Sequence, residues 1–362
     1  MLLSLLALTA TPALAGYGDV VQNRPNWEQR ELLVLTNLVR VDPMAWDYPC
    51  NSNQWKSSER SPKNPFYFHD GLTEIAQLHS EDMERHNFMD HDSWDGTDFG
   101  DRVWPYYDGR SIGENVAWGY RDNEAAVFDG WMCSSGHRSN IMSSSFEDMG
   151  GGIEGEYYTQ DFGGGAGTRH VPVAMGVHTP ELPTRSVTFT ATWDHDDPPE
   201  TLSVEGAHTC DALALTAGTD TLGAWEVTLE PQADCVAYRF WWMEQDGSEG
   251  ALPENGAYLY GQGCPLWTEV TPSGCAPEPE PEPEPEPDDD DPAGESPDLD
   301  DGISGEPGDC DKTADDRNGD CERDEDQSGE SAAGSTGCAT APAAGGLWAV
   351  VFALGWRRRS RG

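Results

Sequence analysis

The chain has 362 residues, enough for two domains with linkers, and a formal net charge of −45. This excess of carboxylates argues against nucleic acid as a partner, because phosphate binding needs clustered lysine and arginine. The 9 cysteines include no Cys-x-x-Cys pair. A structural zinc knuckle and a thioredoxin-like redox site are therefore not expected.

The first residues predict export from the cytoplasm. Residues 1–15 form a short apolar stretch that ends in Ala13-Leu14-Ala15, the small-x-small pattern of a signal-peptide cleavage site before Gly16. No lysine or arginine precedes the apolar run, which is atypical for such a signal. The alternative, a buried N-terminal helix, is not favoured because nothing polar gives this stretch a second face.

Three amphipathic helices are predicted between residues 26 and 135. Each follows a polar residue that can act as its N-cap: Asn26, Asp70 and Asn123. Apolar residues then recur at steps of three and four, which is the period of a helix with one buried face. The inward-facing residues are Leu32, Leu35, Leu38 and Val39 in the first helix, Ile75, Ala76, His79 and Met83 in the second, and Val127, Phe128 and Trp131 in the third.

Strands are expected near Ser111–Trp118, 150–153 and 157–162. The first of them carries a glutamate that lies midway in the sequence between two histidines. Glu114 is on the first strand, while His91 and His137 precede and follow it. Two imidazoles and a carboxylate suit a divalent metal site with an open position, or an acid/base pair. Without further support His91 would be a loop cap among neighbouring aspartates, and the His137 ring would bond a nearby carbonyl group.

Six segments share their order and character with a known family. They are LTNLVR at 35–40, LTEIAQLHSEDM at 72–83, FMDH at 88–91 with Asp95-Gly96 and Asp101-Arg102, GENVA at 113–117, GWMCSSGHRSNI at 130–141 and YYTQDFG at 157–163. Over about 26–165 the chain resembles the CAP superfamily in its bacterial form. This superfamily, also called the SCP domain, includes cysteine-rich secretory proteins, antigen 5 and pathogenesis-related proteins.

The resemblance implies an α+β fold for residues 16–180, a three-layer α-β-α sandwich. It also implies a single cleft in which His91 and His137 bind a divalent cation such as Zn²⁺. Glu114 lies beside them as an acid/base group, and the neighbouring Asn115 is a further site candidate. Family members from eukaryotes carry another acidic residue just after the tryptophan of the third helix. Here Met132, Cys133 and Ser134 follow that tryptophan, so a complete catalytic tetrad is not predicted.

Residues 185–275 predict a second, smaller module. Apolar and polar residues alternate along several short runs that are bounded by Gly, Pro and Asp, which is typical of half-buried strands. We expect a small antiparallel β-sandwich of immunoglobulin-like type that acts as a spacer or adhesive unit. The alternating residues are Val187, Phe189, Ala191 and Trp193; Trp225, Val227 and Leu229; and Val236, Tyr238, Phe240 and Trp242.

The odd number of cysteines suggests that one is set aside, and Cys338 is the candidate because it lies in the C-terminal segment. Neighbours along the sequence would then form disulfides. The predicted pairs are Cys210 with Cys235, Cys264 with Cys275, Cys310 with Cys321, and Cys50 with Cys133 inside the first domain.

The C-terminal quarter predicts a tether. Residues 276–337 begin with alternating Pro and Glu and continue with Asp, Glu and Gly, a composition that favours an extended, disordered acidic stalk. Calcium binding there is not favoured, because residues 315–320 lack the full ligand ladder of a calcium loop. Residues 338–362 combine a cysteine, a short apolar run and a basic end. They resemble the sorting signal of myxobacterial surface proteins, which implies transient membrane insertion followed by anchoring at the cell surface.

Three functions follow as hypotheses for this extracellular, surface-displayed chain. In the first, the cleft binds a divalent metal, a small apolar ligand, or both, and an extracellular protein or peptide is a further possible partner. In the second, it is a zinc-dependent, peptidase-like hydrolase in which His91 and His137 hold the metal and Glu114 takes the proton of water. In the third, the chain is a structural envelope or adhesion protein. A serine hydrolase is rejected, since no G-x-S-x-G elbow is present.

Overall fold

The computed structural model describes residues 16–275, apart from positions 47, 52–54, 121–122, 168–170, 181–185, 231–234 and 262. The described residues fall within one compact unit. The predicted signal peptide, acidic stalk and C-terminal signal, with Cys310, Cys321 and Cys338, lie outside the described residues. Within the described part of the chain, no helix combines the length and the apolar character that a membrane span requires.

Helices and strands mix in the first half, and strands dominate the second, as the sequence predicts. The helices are α1 (Trp27–Val41), α2 (Asp70–His86), α3 (Phe99–Val103), α4 (Glu124–Cys133) and α5 (Ser135–Ile141), with short 3-10 turns at Ser57–Arg60 and Trp104–Tyr106. The strands are β1 (Tyr67–Phe68), β2 (Ser111–Trp118), β3 (Asp148–Glu154), β4 (Tyr157–Gly164), β5 (Val173–Thr179), β6 (Val187–Asp194), β7 (Thr201–Glu205), β8 (Cys210–Ala212), β9 (Ala214–Gly218), β10 (Leu222–Leu229), β11 (Val236–Met243), β12 (Glu249–Leu252), β13 (Ala257–Tyr260) and β14 (Trp267–Thr268).

Two of the three predicted N-caps are confirmed. Asn26 and Gln29 form a reciprocal capping box at the start of α1, with hydrogen bonds of 2.8 and 3.0 Å. Asn123 accepts a bond of 2.9 Å from the amide of Ala126 at the start of α4. The prediction for α2 is wrong by one residue, because Nδ1 of His69 accepts the bond from Leu72 and Asp70 is already helical. Asp70 still places its negative charge in the first turn, where the helix dipole favours it.

The first sheet has the strand order β1-β3-β4-β2 and lies between α2 and α1. Its glycines explain how closely α2 can approach. A Cβ atom on Gly152 would come within 2.1 Å of the backbone of Ala76, so only glycine permits this spacing. On the opposite face, a Cβ on Gly151 would point at the Leu32 side chain of α1. The sheet therefore presents one face to each helix.

Helix α1 is covered on all sides, because the second sheet packs against it from the direction opposite to the first. That second sheet has the order β5-β6-β10-β9, and every residue of α1 from position 29 to 41 is buried. The polar side chains of a fully covered helix need partners. Arg30 donates to the hydroxyl of Tyr238 at 3.0 Å, and Asn37 exchanges hydrogen bonds with the backbone of Phe66.

The β-rich region is built from the second sheet and from a third, of order β14-β13-β11-β7-β8 with β12 paired to β11. Aromatic rings fill the space between them: Phe189 on β6 lies 4.9 Å from Tyr238 on β11, and Trp193 lies 6.5 Å from Trp242. Strand β5 precedes the predicted boundary at residue 180 and pairs with β6 beyond it. The domain limits themselves stay a prediction.

Three disulfides are present among the described residues, and two of them correct the predicted pairing. Cys50 bonds Cys133 as expected, but Cys210 bonds Cys275 and Cys235 bonds Cys264. Pairing each cysteine with its neighbour in the sequence gave the wrong bonds because the sheet brings distant segments together. Position 236 pairs with position 260 across β11 and β13, which places the flanking cysteines side by side. The amide of Gly274 likewise bonds the carbonyl of Gly206 at 3.0 Å and carries Cys275 to β8.

Candidate functional site

The three predicted site residues come from three different elements. His91 is in the loop between α2 and α3, Glu114 is near the middle of β2, and His137 is in the first turn of α5. The Glu114 side chain is almost completely buried, whereas the His91 side chain is 54% exposed. His137 is half-buried. A buried carboxylate thus lies beneath a solvent-accessible imidazole.

The structure brings His91 and Glu114 into direct contact. Nδ1 of His91 donates a hydrogen bond of 2.6 Å to Oε1 of Glu114. This bond is the main reason that the pKa of His91 is raised above its ordinary value; the negative charges of Glu114 and Asp90 act in the same direction. Because Nδ1 is engaged by the carboxylate, Nε2 is the ring nitrogen left for another ligand.

Arg102 fixes both members of this pair and was not predicted as a site residue. Its Nη2 donates to Oε2 of Glu114, and its Nη1 donates to the carbonyl of His91 at 2.6 Å. Helix α3 positions the guanidinium, and Asp98 caps that helix through the amide of Asp101 at 3.0 Å. Both oxygens of Glu114 therefore accept hydrogen bonds, one from an imidazole and one from a guanidinium.

Asn115 connects the sheet to the helix that carries His137. Its Nδ2 donates to the carbonyl of His137 at 3.2 Å and to Oε1 of Gln160 at 3.0 Å. Its Oδ1 accepts from Asn140, whose Nδ2 also donates to the carbonyl of Glu114 at 3.0 Å. Asn115 is completely buried, so it acts as a structural link that holds α5 against β2.

The two imidazoles are electrostatically coupled. Burial lowers the pKa of His137, and the positive charge on His91 lowers it further. The two rings are therefore near enough for the charge on one to disfavour the charge on the other. His91 is the more readily protonated ring, and His137 keeps a neutral ring with a free lone pair at neutral pH.

Two more ionisable groups lie behind Glu114. Asp161 faces Glu114 directly across β2 and β4 and is fully buried. Burial raises the pKa of Asp161 well above its usual value, and the charge of Glu114 raises it further. His79 is also buried; its Nε2 donates to the carbonyl of Asp90 at 2.9 Å and lies 4.0 Å from Oε2 of Glu114. Burial lowers the pKa of His79 despite that nearby carboxylate.

Compared with wild type, Asp161→Asn is expected to gain stability as the pH is raised from acid to neutral. The folded-state pKa of Asp161 is raised, so its carboxyl contributes stability below the unfolded pKa of about 3.9 that is lost as pH rises through the folded pKa. An asparagine amide stays neutral and does not incur that loss. Urea unfolding of both proteins between about pH 3.5 and pH 8 measures the difference in free energy of unfolding.

The matched control for Asp161 is Asp246→Asn. Hydrogen bonds from Ser248 lower the pKa of Asp246 at an exposed turn, so the difference between variant and wild type should change in the opposite direction with pH. A difference in stability between Asp161→Asn and wild type that does not vary with pH would contradict the raised pKa of Asp161.

Arg102 and Asp161 are site residues that the sequence did not predict, and His79 was predicted only as a packed residue. The strand predicted at 157–162 offered a signal for Asp161, because alternate residues of a strand face the same side and Asp161 is one of the few that could lie against Glu114. The register between the two paired strands decides which residue faces Glu114, and this register cannot be read from a single sequence. Arg102 is within a matched family segment, but nothing in its spacing indicates that it reaches the carboxylate.

Few side-chain atoms of this site could serve as ligands for a cation. Among residues 16–275 that the structure describes, no group of three or more His, Cys, Asp or Glu side chains has the arrangement of a metal site. Each oxygen of the buried Glu114 already accepts a hydrogen bond, and Cys133, which follows the tryptophan of α4, is in a disulfide. What remains is Nε2 of His91, oriented by a carboxylate, together with the neutral ring of His137.

Residues 34–164 match the family model described as "CAP: Cysteine-rich secretory protein family". This part of the chain is a CAP domain. The match spans α1 to β4 and includes His91, Glu114 and His137, as the resemblance in the sequence predicted.

Curated relatives of the CAP domain come from Bacillus subtilis. The "Uncharacterized membrane protein YlbC" is 32% identical over 139 residues, which is 37% of this chain and 34% of that protein. The "Uncharacterized protein YkwD" is 34% identical over 101 residues, which is 27% of this chain and 39% of that protein. The chain thus spans between 34% and 39% of the length of these curated relatives.

Two solved structures with the domain are also similar. An extracellular protein containing an SCP domain from Bacillus anthracis has 26% sequence identity and a TM-score of 0.32, covering 38% of this chain and 40% of that one. A cysteine-rich secretory protein from Staphylococcus aureus has 18% identity and a TM-score of 0.29, covering 38% and 39%.

Proposed function

We propose that the chain is an exported CAP-domain protein whose cleft binds a divalent cation through His91 and His137, with Zn²⁺ as the candidate. The hydrogen bond of 2.6 Å between His91 and Glu114 carries this proposal. A carboxylate that accepts the Nδ1 proton fixes the tautomer of an imidazole and makes its Nε2 a better ligand. The zinc would supply a Lewis-acidic centre with open positions for water or for a ligand atom.

The pKa shifts support a division of roles between the two rings. His137 is neutral at neutral pH because burial and the charge of His91 lower its pKa, so it can bind a cation without first losing a proton. His91 must lose a proton, because its pKa is raised by Glu114. We therefore propose that cation affinity increases as pH rises through the pKa of His91.

Binding is better supported than hydrolysis. A general base needs a free lone pair within hydrogen-bond reach of the attacking water. Each oxygen of Glu114 already accepts one hydrogen bond, from His91 or from Arg102, and burial of the carboxylate limits the approach of water to the lone pairs that remain. In this arrangement Glu114 orients a ligand and has little access to water. The peptidase-like hydrolase remains the second hypothesis, and a purely structural envelope or adhesion role the third.

The proposal also covers where the protein is located and how its domains are built. Three disulfides among the described residues, the predicted signal peptide and a similar protein described as extracellular together favour an extracellular chain. We propose that residues 338–362 anchor it at the cell surface and that 276–337 form the stalk. We propose further that the two layers around the first sheet form the α-β-α sandwich and that 185–275 form the immunoglobulin-like module. A small apolar ligand would enter beside the cation.

His91→Ala and His137→Ala should each weaken zinc binding about tenfold or more, since each removes one of two protein ligands. Isothermal titration of the full chain with ZnCl₂ measures the effect. Glu114→Gln should weaken binding about tenfold, because the amide no longer orients His91 as a carboxylate does. His208→Ala removes an exposed histidine outside the cleft and should leave affinity unchanged. Equal affinities in all variants would show that zinc binds elsewhere.

A further inference from the structure

Two tryptophans on one surface of the CAP domain are more than half exposed. Trp94 is 59% exposed in the loop after α2, and Trp118 is 55% exposed at the end of β2. Large aromatic side chains gain stability from burial, and exposed apolar surface that is grouped together marks interaction sites. These two residues belong to such a group.

Two pairs of neighbouring rings meet at one small apolar cluster, and we name the four residues the aromatic strip: Trp118, Tyr157, Phe88 and Trp94. The ring centroids of Trp118 and Tyr157 are 6.3 Å apart. Phe88 packs into the same small apolar cluster as Tyr157. Phe88 and Trp94 are then 5.6 Å apart. Tyr157 and Phe88 thus form a largely covered floor, with an exposed tryptophan at each end.

The surface around the aromatic strip is strongly negative. Between positions 81 and 101 the sequence has eight acidic residues and one lysine or arginine, Arg85. Glu84 and Glu156 act directly on the middle of the strip, because their charges add to burial in raising the pKa of Tyr157. The acidic residues are Glu81, Asp82, Glu84, Asp90, Asp92, Asp95, Asp98 and Asp101.

The chain already shows which chemistry this surface accepts. The ring of His86 stacks on Trp94 with a centroid distance of 4.9 Å and an interplanar angle of 1°. Nε2 of the same histidine lies 3.6 Å from Asp82. An imidazole is thus placed flat on a tryptophan face and beside a carboxylate. The exposed part of Trp94 offers the same combination to a cation from outside. Trp118 offers an exposed ring next to Tyr157, on which the charges of Glu84 and Glu156 act.

Some of these carboxylates hold the loop in place through hydrogen bonds that do not involve the tryptophan side chains. Asp82 accepts from the amide of Trp94 at 2.9 Å, Asp95 from Thr97 at 2.9 Å, and Asp98 caps α3. These bonds shape the loop through backbone amides and would do so with any side chain at position 94. The exposed indoles are therefore available for contact with a partner.

We propose that the aromatic strip binds a basic peptide segment of an extracellular partner, with lysine or arginine side chains placed on Trp94 and Trp118. Charge complementarity favours this occupant, since the surrounding carboxylates attract cations and repel anionic membrane surfaces. A neutral polysaccharide would use the rings and leave the charges without a role. The site is separate from the cation cleft and stands whether or not zinc binds there.

The test uses the full chain and a fluorescein-labelled decalysine peptide as the probe, followed by fluorescence anisotropy. Trp94→Ala and Trp118→Ala should each weaken binding about three- to tenfold, and the double variant more than either one. Trp104→Ala is the matched control, because Trp104 is 44% exposed and lies outside the aromatic strip. Its affinity should equal that of the wild type. The fully acetylated peptide, which has no positive charge, should not bind.

Measurements at high salt distinguish binding at the aromatic strip from non-specific attraction to a chain with a net charge of −45. At about 0.5 M NaCl the Debye length is only a few ångströms, so general attraction falls while close contacts on the rings persist. The tryptophan dependence should therefore remain at high salt. Strip variants that bind decalysine as well as the wild type would overturn the proposal. So would tryptophan-dependent binding of a neutral N-acetylglucosamine hexamer without binding of decalysine, which would make the surface a carbohydrate site.

Discussion

Arg102→Met is expected to lower the free energy of unfolding by about 3–5 kcal/mol, the usual cost of removing one partner from a buried ion pair. The side chains of Arg102 and Glu114 are 6% and 1% exposed. Without the guanidinium, Glu114 is left facing the buried Asp161, and the carbonyl of His91 loses its donor. Chemical denaturation at neutral pH measures the loss.

A double variant separates the ion pair from simple packing. In Arg102→Met/Glu114→Gln the buried negative charge is gone, so a large part of the stability lost in the single variant should return. Arg24→Met is the control, because Arg24 forms a partly exposed bridge of 2.9 Å with Glu81 that should be worth about 1 kcal/mol or less. If Arg102→Met cost no more than Arg24→Met, the central role given to this guanidinium would be wrong.

Arg40→Met should cost about 3 kcal/mol or more, because three carbonyl groups would lose their hydrogen-bond donor at once. Arg40 is completely covered and donates to the carbonyls of Asn64, Ile141 and Ser143 at 2.7, 2.7 and 2.8 Å. Its guanidinium also lies 3.6 Å above the ring of Phe66. Thermal and denaturant unfolding both measure the expected loss.

Two further variants define the role of Arg40. Arg40→Lys keeps the charge but lacks the planar fork that reaches several carbonyls, so its stability should lie between that of wild type and Arg40→Met. Arg60→Met, at an exposed position, should change stability by less than about 0.5 kcal/mol. A loss for Arg40→Met as small as for Arg60→Met would show that these carbonyls find other partners, such as water.

Local signals in the sequence predicted the elements of the CAP domain well. The capping residues Asn26 and Asn123 begin their helices as predicted, and the strand at Ser111–Trp118 has the predicted bounds. Capping and periodicity act within a few residues, so they can be recognised in a single chain. The motif with Asn37 and Arg40 marked the opening helix of the family, and the structure shows both residues joining α1 to distant backbone segments.

Long-range contacts were harder to predict. The pairing of Cys210 with Cys275 depends on how the end of the described chain returns to β8, and neighbouring positions in sequence gave the wrong partner. The amphipathic pattern of α1 predicted one buried face, whereas the second sheet buries the other face as well. The contact between Glu114 and Arg102 likewise depends on where α3 lies against the first sheet. Such packing is decided by tertiary structure, which periodicity does not encode.

The central claim is that a cation binds between His91 and His137, and a crystal structure of the zinc-loaded protein tests it most directly. We predict an anomalous-scattering peak at the zinc absorption edge about 2.0–2.1 Å from Nε2 of His91 and from one ring nitrogen of His137. The hydrogen bond from Nδ1 of His91 to Glu114 should be retained. A peak elsewhere, or no peak at the cleft under saturating zinc, would contradict the account.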